Sequence, residues 1–250
     1  MSGRLMIIGL GPGPARQVTP EATTLLAEAT DIVGYGPYVD RIPPSPARRH
    51  GSDNRVEIDR ARHALSLAAD GAKVAVVSGG DPGVFAMAAA VFEAVEAGEA
   101  EWRELDIVVV PGITAVLAAA ARIGAPLGHD FCVISLSDNL KPWSIIERRL
   151  SAAVAGDFVL AFYNPASRAR PEQIGKAFAQ LKAEAGDRVV VLAKAVGRPD
   201  EQIVYTSLAM VEPADVDMRT LVLVGSSQTR VIEREGREPW VYTPRSRIEG

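Results

Sequence analysis

Three glycine-rich loops hold the residues of this sequence whose types and spacing suit chemistry. They read Gly-Leu-Gly-Pro-Gly at 9–13, Ser-Gly-Gly-Asp-Pro-Gly-Val at 78–84 and Pro-Gly-Ile-Thr-Ala at 111–115. Each follows an apolar run typical of a buried strand, and each alone is also an ordinary strand-to-helix turn. Glycine leaves backbone N–H and C=O groups bare, so a ligand can approach them closely. Three such loops together favour one ligand site at the carboxyl edge of a parallel sheet.

The first half of the chain alternates strand and helix patterns, which indicates a parallel sheet with helices on its faces. Thr19 is a predicted N-cap with Pro20 at the first helical position, and Asp81 is a predicted N-cap for the Ala-rich helix after the second loop. The Pro-, Arg- and Ser-rich segment 41–54 predicts an exposed loop. The predicted strands are 5–9, 31–34, 74–77 and 105–110, and the predicted helices are 21–29, 59–70, 85–97 and 114–123.

The segment Gly-Ala-Pro-Leu-Gly at 124–128 breaks this alternation and is the predicted hinge. We therefore predict two α/β domains, residues 1–127 and 128–250. In the second domain the predicted strands are 130–136, 157–162, 188–194, 202–205, 220–224 and 240–242, and the predicted helices are 143–155 and 171–185.

Composition and charge restrict the class of protein. The 250 residues include 48% apolar and 23% charged residues, as in globular proteins, and the net charge of −4 predicts no nucleic-acid partner. Cys132 stands alone in an apolar run, which predicts a buried structural thiol and excludes a disulfide framework. His50, His63 and His129 lack ligand-like spacing, so we predict no metal. Neither a signal peptide nor a membrane-length apolar run is visible, which predicts a cytoplasmic protein with no membrane partner.

Polar residues that follow predicted strands in the second half are candidate ligand contacts. Asp138 and Asn139 lie in a polar loop after the strand 130–136. Arg168 follows the strand 157–162 and suits a substrate carboxylate. His129 is either a structural or a functional histidine.

Several common catalytic arrangements are missing from the sequence. Pro12 and Pro14 prevent the helix start that a dinucleotide-binding fingerprint needs, and no Lys-Ser/Thr pair follows to make a P-loop. No Ser-His-Asp arrangement, paired-glutamate pattern or metal cluster can be assembled. This favours a reaction whose electrophile arrives already activated, so that the protein mainly positions two reactants and excludes water.

Taken in order, the three loops resemble the signature loops of the tetrapyrrole (corrin/porphyrin) methylases, which use S-adenosylmethionine. The resemblance covers nearly the whole chain. Segments 34–38, 128–138 and 162–167 further resemble one branch of that family, which acts in cobalamin biosynthesis. The resemblance implies the tetrapyrrole methylase fold, with two α/β domains and an inter-domain cleft for the cofactor, and it implies a homodimer.

Carried over residue by residue, the resemblance also implies site residues. The implied cofactor-binding residues are Pro12, Gly79, Gly80, Asp81, Val84, Thr114, Ala115, Asn164 and Thr220. The candidate substrate-binding residues are Gly11, Gly13, Tyr38, Asn139 and Arg168. The candidate catalytic residues, which would move protons, are Asp138, His129, Tyr35 and Ser167.

The implied reaction is methylation of carbon 17 of a tetrapyrrole with contraction of the macrocycle, and S-adenosylhomocysteine is the implied product of the cofactor. Arg41, Arg48 and Arg49 are further candidates for orienting the carboxylates of such a substrate; the alternative for them is a solvated loop. Two alternative functions stay open. One is the same methylation on a cobalt-containing intermediate of the oxygen-independent route, and the other is a nucleotide- or tetrapyrrole-binding module without catalysis.

Overall fold

The computed structural model describes residues 3–54, 56–167 and 169–246 of the chain. The chain divides into two compact units, Met1–Ala115 and Val116–Gly250, which we call unit 1 and unit 2. The boundary after residue 127 that the sequence suggests stays a prediction. Among the described residues, no helix combines the length and the apolarity that crossing a bilayer requires.

Unit 1 is built on a parallel sheet. Its strands are β1 (Arg4–Gly9), β2 (Asp31–Tyr35), β3 (Arg48–Ser52), β4 (Lys73–Ser78) and β5 (Asp106–Val110). Its helices are α1 (Pro20–Glu28), α2 (Gly36–Val39), α3 (Glu57–Ala69) and α4 (Met87–Ala97). The strand order is β3-β2-β4-β1-β5, and the alternating arrangement that the sequence predicts is confirmed.

The two faces of this sheet bury different helices. Leu5 and Ile7 of β1 pack with α3 and α4, whereas Met6 and Ile8 pack with α1 on the opposite face. Strands β1 and β4 are neighbours, but the chain leaves β1 towards α1 and leaves β4 towards α4. The connections therefore diverge between these two strands, and a crevice for ligands opens at such a point of a parallel sheet. The first and second glycine loops begin there.

The first helix confirms its predicted start. Thr19 is the N-cap of α1, its Oγ1 accepts a hydrogen bond from the amide of Ala22 over 3.1 Å, and Pro20 is the first helical residue. This arrangement satisfies one of the free amides at the helix start.

The segment 41–54 is only in part the exposed loop that its composition suggests: residues 41–47 form a loop in which 43–46 are exposed. Residues 48–52 form β3, an edge strand paired in parallel with β2. Arg48 binds the carboxylate of Asp31, and Arg49 donates to the carbonyls of Val39, Ile42 and Pro43. The strand lacks apolar alternation because polar side-chain contacts hold it, and periodicity therefore could not reveal it.

Asp31 is fully buried at the centre of these contacts. Its carboxylate accepts hydrogen bonds from Arg48 over 2.9 and 3.1 Å and from Thr30 over 2.8 Å, and His50 Nε2 lies 2.8 Å from Oδ1. Burial alone would raise the pKa of Asp31, but the hydrogen bonds from Arg48, His50 and Thr30 outweigh it, so the pKa lies below its ordinary value.

This lowered pKa predicts the sign of an acid effect on stability. Because the folded pKa of Asp31 lies below the unfolded value of about 3.9, its contribution is complete above that value and is lost as the pH falls through the folded pKa. We expect Asp31→Asn to lower the free energy of unfolding at pH 7 by about 1–3 kcal/mol. The variant should lose less further stability than the wild type in acid, which urea denaturation at pH 7 and at acid pH measures. Equal acid losses in the wild type, in Asp31→Asn and in the exposed control Asp59→Asn would contradict this role.

Unit 2 is built on a mixed sheet. Its strands are β7 (Phe131–Ser135), β8 (Val159–Tyr163), β9 (Val189–Lys194), β10 (Gln202–Ser207) and β11 (Thr220–Val224), in the order β10-β9-β11-β8-β7. Strands β7 and β8 are parallel, and the other neighbouring pairs are antiparallel. Helices α6 (Trp143–Ala155) and α7 (Gln173–Ala185) pack on one face around Phe162 and Phe178. Cys132 is half-buried against this core, and burial raises the pKa of its thiol.

The ends of unit 2 add a separate sheet. It consists of β12 (Arg230–Arg234), β13 (Arg237–Tyr242) and the short β6 (Gly124–Ala125), which follows α5 (Ala115–Ile123). The final strand expected at 240–242 is therefore confirmed as part of β13. The charged stretch before it, which gave no strand signal, is β12.

Candidate functional site

The first two glycine loops of unit 1 bind each other through their backbones. The amide of Gly11 donates to the carbonyl of Gly80 over 3.1 Å, and the amide of Gly80 donates to the carbonyl of Gly11 over 2.9 Å. Gly11 and Gly80 have φ values of 64° and 70°, in the left-handed region that favours glycine. The two loops are thus fixed to each other at the point where the sheet connections diverge.

The third loop packs against them with backbone on backbone. A Cβ added at Gly9 would lie 2.7 Å from the amide nitrogen of Gly112 and 2.8 Å from the carbonyl oxygen of Gly80. A Cβ at Gly112 would overlap sterically with the carbonyl oxygen of Gly80 and would approach the backbone of Gly9 to 3.0 Å. The expectation that the three loops meet at one sheet edge is therefore confirmed.

Asp81 links the second loop to the third and does not cap the following helix as the sequence suggests. Its Oδ1 accepts from the amide of Gly83 over 2.8 Å, and its Oδ2 accepts from the amide of Gly112 over 3.0 Å. Helix α4 begins later, at Met87, because the chain first makes a turn in which Phe85 has a φ of 53°. The hydroxyl of Ser78 lies 3.4 Å from the amide of Met87 and accepts its hydrogen bond.

Arg41 holds the first loop in place. Its Nη2 donates to the carbonyls of Leu10, Gly11 and Gly13 over 3.0–3.1 Å. Three carbonyls that converge on one cation make a rigid loop around Pro12. These contacts give Arg41 a structural role in unit 1 in place of the mobile, solvated position that its segment suggests.

The remaining candidates of unit 1 lie around Gly79 and Gly80. A Cβ at Gly79 would come within 2.8 Å of the ring of Tyr38, and Tyr35 packs edge-on against that ring with centroids 5.4 Å apart. At Gly80 a Cβ would meet its nearest atom, the Cα of Thr114, at an ordinary 3.7 Å. A Cβ would therefore fit here without a clash, in contact with the third loop, and it is the φ of 70° that favours glycine at this position. Val84 donates from its amide to the carbonyl of Asp81, and Ala115 is the first residue of α5.

In unit 2, Asn164 and Thr220 lie at the same edge of the mixed sheet. Val222 pairs with Phe162, so the antiparallel register brings Thr220 level with Asn164. Asn164 has a φ of 51°, and its side-chain amide donates to the hydroxyl of Ser135 over 3.0 Å. The hydroxyl of Thr220 donates its proton to Asp217, so this hydroxyl is already engaged as a donor within unit 2.

Asp138 and Ser167 belong to one polar cluster of unit 2. Gln173 Nε2 donates to Asp138 Oδ2 over 2.9 Å, and Arg170 Nη1 lies 3.8 Å from Asp138 Oδ1. Ser167 and Arg170 exchange backbone hydrogen bonds of 3.0 Å. Asn139, next to Asp138, is exposed. Arg168, the predicted carboxylate contact, lies outside the described residues.

His129 stands apart from this cluster in its hydrogen bonding. Its Nδ1 accepts from the amide of Asp130 over 2.8 Å, and its side chain is 43% exposed. Over the described part of unit 2, no hydrogen bond joins His129 to Asp138 or Ser167. Asp138 and Ser167 are connected only through Arg170, by an ion pair of 3.8 Å and by backbone hydrogen bonds, and the roles of all three candidates stay predictions.

Arg41, Arg170 and Gln173 are the polar residues whose positions the sequence did not reveal. Arg41 lies in a segment that reads as a loop, Arg170 precedes Pro171, and Gln173 is the first residue of α7. Their contacts depend on tertiary structure, which leaves no periodic signal. The sequence gives one indirect indication of these residues. They lie near the segments 34–38 and 162–167, which resemble one branch of the methylases.

Comparison with known proteins gives consistent results. The sequence model of the family of tetrapyrrole (corrin/porphyrin) methylases matches residues 4–212. A precorrin-3B C(17)-methyltransferase from Sinorhizobium sp is 54% identical over 98% of this chain and 97% of that protein. A probable cobalt-factor III C(17)-methyltransferase from Salmonella typhimurium is 40% identical over 96% of this chain and 99% of that protein. The crystal structure of the methyltransferase CobJ superposes with a TM-score of 0.92 at 56% identity, over 97% of this chain and 100% of that chain. The predicted fold is confirmed, and the chain belongs to the tetrapyrrole (corrin/porphyrin) methylases.

Proposed function

We propose that this chain methylates carbon 17 of precorrin-3B with S-adenosylmethionine and contracts the macrocycle to give precorrin-4. The observation that carries the proposal is the meeting of three bare glycine loops at one sheet edge, in a chain that is 54% identical to a precorrin-3B C(17)-methyltransferase. S-adenosylhomocysteine is then the second product.

The residues of unit 1 fit the methyl donor. Gly80 joins the first loop through two backbone hydrogen bonds, and the contacts of Asp81 and Arg41 fix the loops around it. A rigid, preorganised edge of this kind binds a ligand at a smaller entropic cost than mobile loops would. The proposed contacts in unit 1 are Pro12, Gly79, Gly80, Asp81, Val84, Thr114 and Ala115, and those in unit 2 are Asn164 and Thr220.

The bound donor supplies a sulfonium methyl group, an electrophile that needs no protonation by the protein. The first task of the chain is thus to orient the two reactants, and correct orientation lowers a barrier by up to about 7–11 kcal/mol. Contraction of the ring also needs proton movement. For that step we propose Asp138 and Ser167, which share the cluster around Arg170, together with His129 and Tyr35.

The substrate without cobalt is favoured over its cobalt-containing counterpart. The identity is 54% to the precorrin-3B enzyme and 40% to the probable cobalt-factor III enzyme, at similar coverage. The homodimer, the cytoplasmic location, and the lack of nucleic-acid and membrane partners stay predictions that the family resemblance or the composition suggests.

One parallel assay tests the proposal. The protein is incubated with S-adenosylmethionine and either precorrin-3B or cobalt-factor III, and the products are identified by mass spectrometry and NMR. We expect a methylated, ring-contracted product from precorrin-3B at the higher rate. Faster turnover of cobalt-factor III would assign the chain to the oxygen-independent route. Calorimetry with S-adenosylhomocysteine and with NAD separates a methylase from a dinucleotide-binding module, and failure to bind the former would overturn the proposal.

A further inference from the structure

The polar cluster of Asp138, Ser167, Arg170 and Gln173, which we call the Arg170 cluster, is incomplete in its hydrogen bonding. Nε and Nη1 of Arg170 and Oγ of Ser167 are buried and lack a hydrogen-bond partner among the described residues. The side chain of Arg170 is 10% exposed. An unpartnered buried donor is costly, and more so when it is charged.

Asp138 does not complete this cluster. Its carboxylate oxygen lies 3.8 Å from Arg170 Nη1, which is too long for a hydrogen bond, and Gln173 binds the other oxygen over 2.9 Å. The guanidinium therefore has a compensating charge nearby but keeps N–H groups that need an acceptor. A hydroxyl donor, Ser167, belongs to the same loop and exchanges backbone hydrogen bonds with Arg170.

A second cation, Lys141, interacts with the charged groups of the cluster. Lys141 lies in the same field: burial lowers its pKa first, the cations Arg149 and Arg170 lower it further, and Asp138 opposes them. Lys141 also donates a hydrogen bond to the carbonyl of Ser137 over 3.0 Å, one residue before Asp138.

We propose that the Arg170 cluster binds a peripheral carboxylate of the tetrapyrrole substrate. A carboxylate accepts hydrogen bonds from a guanidinium fork and from a hydroxyl, which are the groups left without partners here among the described residues. The cluster follows the carboxyl ends of β7 and β8, the edge of unit 2 that also holds Asn164. Gln173 has a separate task, since its amide orients Asp138; its unpartnered Oε1 is an acceptor that a carboxylate does not explain.

This inference rests on the proposed function for the identity of the ligand, but its test does not require turnover. Uroporphyrin, a stable porphyrin with acetate and propionate side chains, serves as the probe, and its fluorescence reports binding. We expect Arg170→Met to weaken uroporphyrin binding about ten- to hundredfold, the value of a lost charged hydrogen bond. Arg170→Lys, which keeps the charge but not the fork, should weaken it less. Affinity for S-adenosylhomocysteine should stay within about twofold in both variants.

The matched control is Arg148→Met, which removes an equal charge from the exposed face of α6. Uroporphyrin affinity that is unchanged in Arg170→Met, or reduced as much in Arg148→Met, would overturn the proposal. Thermal unfolding shows whether Arg170→Met is folded. If it is not, Arg170→Lys and Ser167→Ala decide the question, because each is expected to weaken uroporphyrin binding severalfold.

The outcomes separate this inference from the proposed function. Binding of uroporphyrin that depends on Arg170, without methylation of precorrin-3B, would support the Arg170 cluster and refute the proposed reaction. If the protein methylates precorrin-3B and Arg170→Met leaves the KM for precorrin-3B unchanged, the proposed reaction is supported and the role of the Arg170 cluster is refuted.

Discussion

Gly112→Ala is expected to lose most of its affinity for S-adenosylhomocysteine and most of its turnover of precorrin-3B. A Cβ at this position would penetrate the carbonyl oxygen of Gly80 and approach the backbone of Gly9 to 3.0 Å. Neither neighbour is a flexible side chain, so the three loops must move apart. A displacement of about 1 Å in a positioning element can lower a rate roughly a hundredfold. We therefore expect kcat/KM to fall by about that factor.

The same substitution should also destabilise unit 1. Overpacking in a close-packed region costs about 1–3 kcal/mol, which urea denaturation detects. The control is Gly36→Ala, since a Cβ at Gly36 has no neighbour within 4 Å. The control should keep the wild-type stability, measured by urea denaturation, and the wild-type affinity for S-adenosylhomocysteine, measured by calorimetry. An alanine at 112 that binds S-adenosylhomocysteine as the wild type does would mean that the loops do not form the donor site.

The glycine loops show what sequence patterns can predict. Their positions after apolar strands specify the sheet edge, because parallel strands end on the same side. The convergence of the loops was predicted in this way, and the hydrogen bonds between Gly11 and Gly80 confirm it. Likewise, Thr19 followed by Pro20 predicts a helix start from local chemistry alone.

Long-range polar contacts show where the sequence falls short. Asp81 has the residue type and position of an N-cap, yet its carboxylate binds the amide of Gly112, 31 residues away. Arg41 reads as part of a solvated loop, yet it donates to the carbonyls around Gly11, 30 residues earlier. A side chain can satisfy a nearby or a distant backbone group with similar energy, and periodicity contains no information on which it chooses.

The location of the candidate site residues of unit 2 could be predicted from the sequence, but their hydrogen-bond partners could not. Asp138 and Ser167 follow parallel strands, so their common edge could be predicted. Arg170 could not be predicted, because the feature that distinguishes it is the absence, among the described residues, of hydrogen-bond acceptors for its buried N–H groups. Buried N–H groups without acceptors can be recognised only once the neighbouring side chains have been placed.

Asp81→Ala is expected to have the second large effect on the donor site. The carboxylate holds the amides of Gly83 and Gly112, and its removal leaves both donors without their acceptor. Hydrogen bonds to a charged group contribute about 1.5–3 kcal/mol each, so we expect affinity for S-adenosylhomocysteine to fall at least about tenfold. Thermal unfolding should show a smaller loss for unit 1, because the exposed amide of Gly83 regains a hydrogen bond to water.

Asp81→Asn makes this test specific for the link between the two loops. Asparagine keeps one acceptor oxygen but turns an NH2 group towards the other amide, so one of the two contacts must break. Its affinity for S-adenosylhomocysteine should therefore lie between those of the wild type and Asp81→Ala. Asp59→Asn, an exposed change on α3, controls for the loss of charge and should bind as the wild type does. Equal affinities in the wild type and in both Asp81 variants would show that the loops keep their arrangement without this carboxylate, and the rigidity of the site would then have to come from the glycine contacts alone.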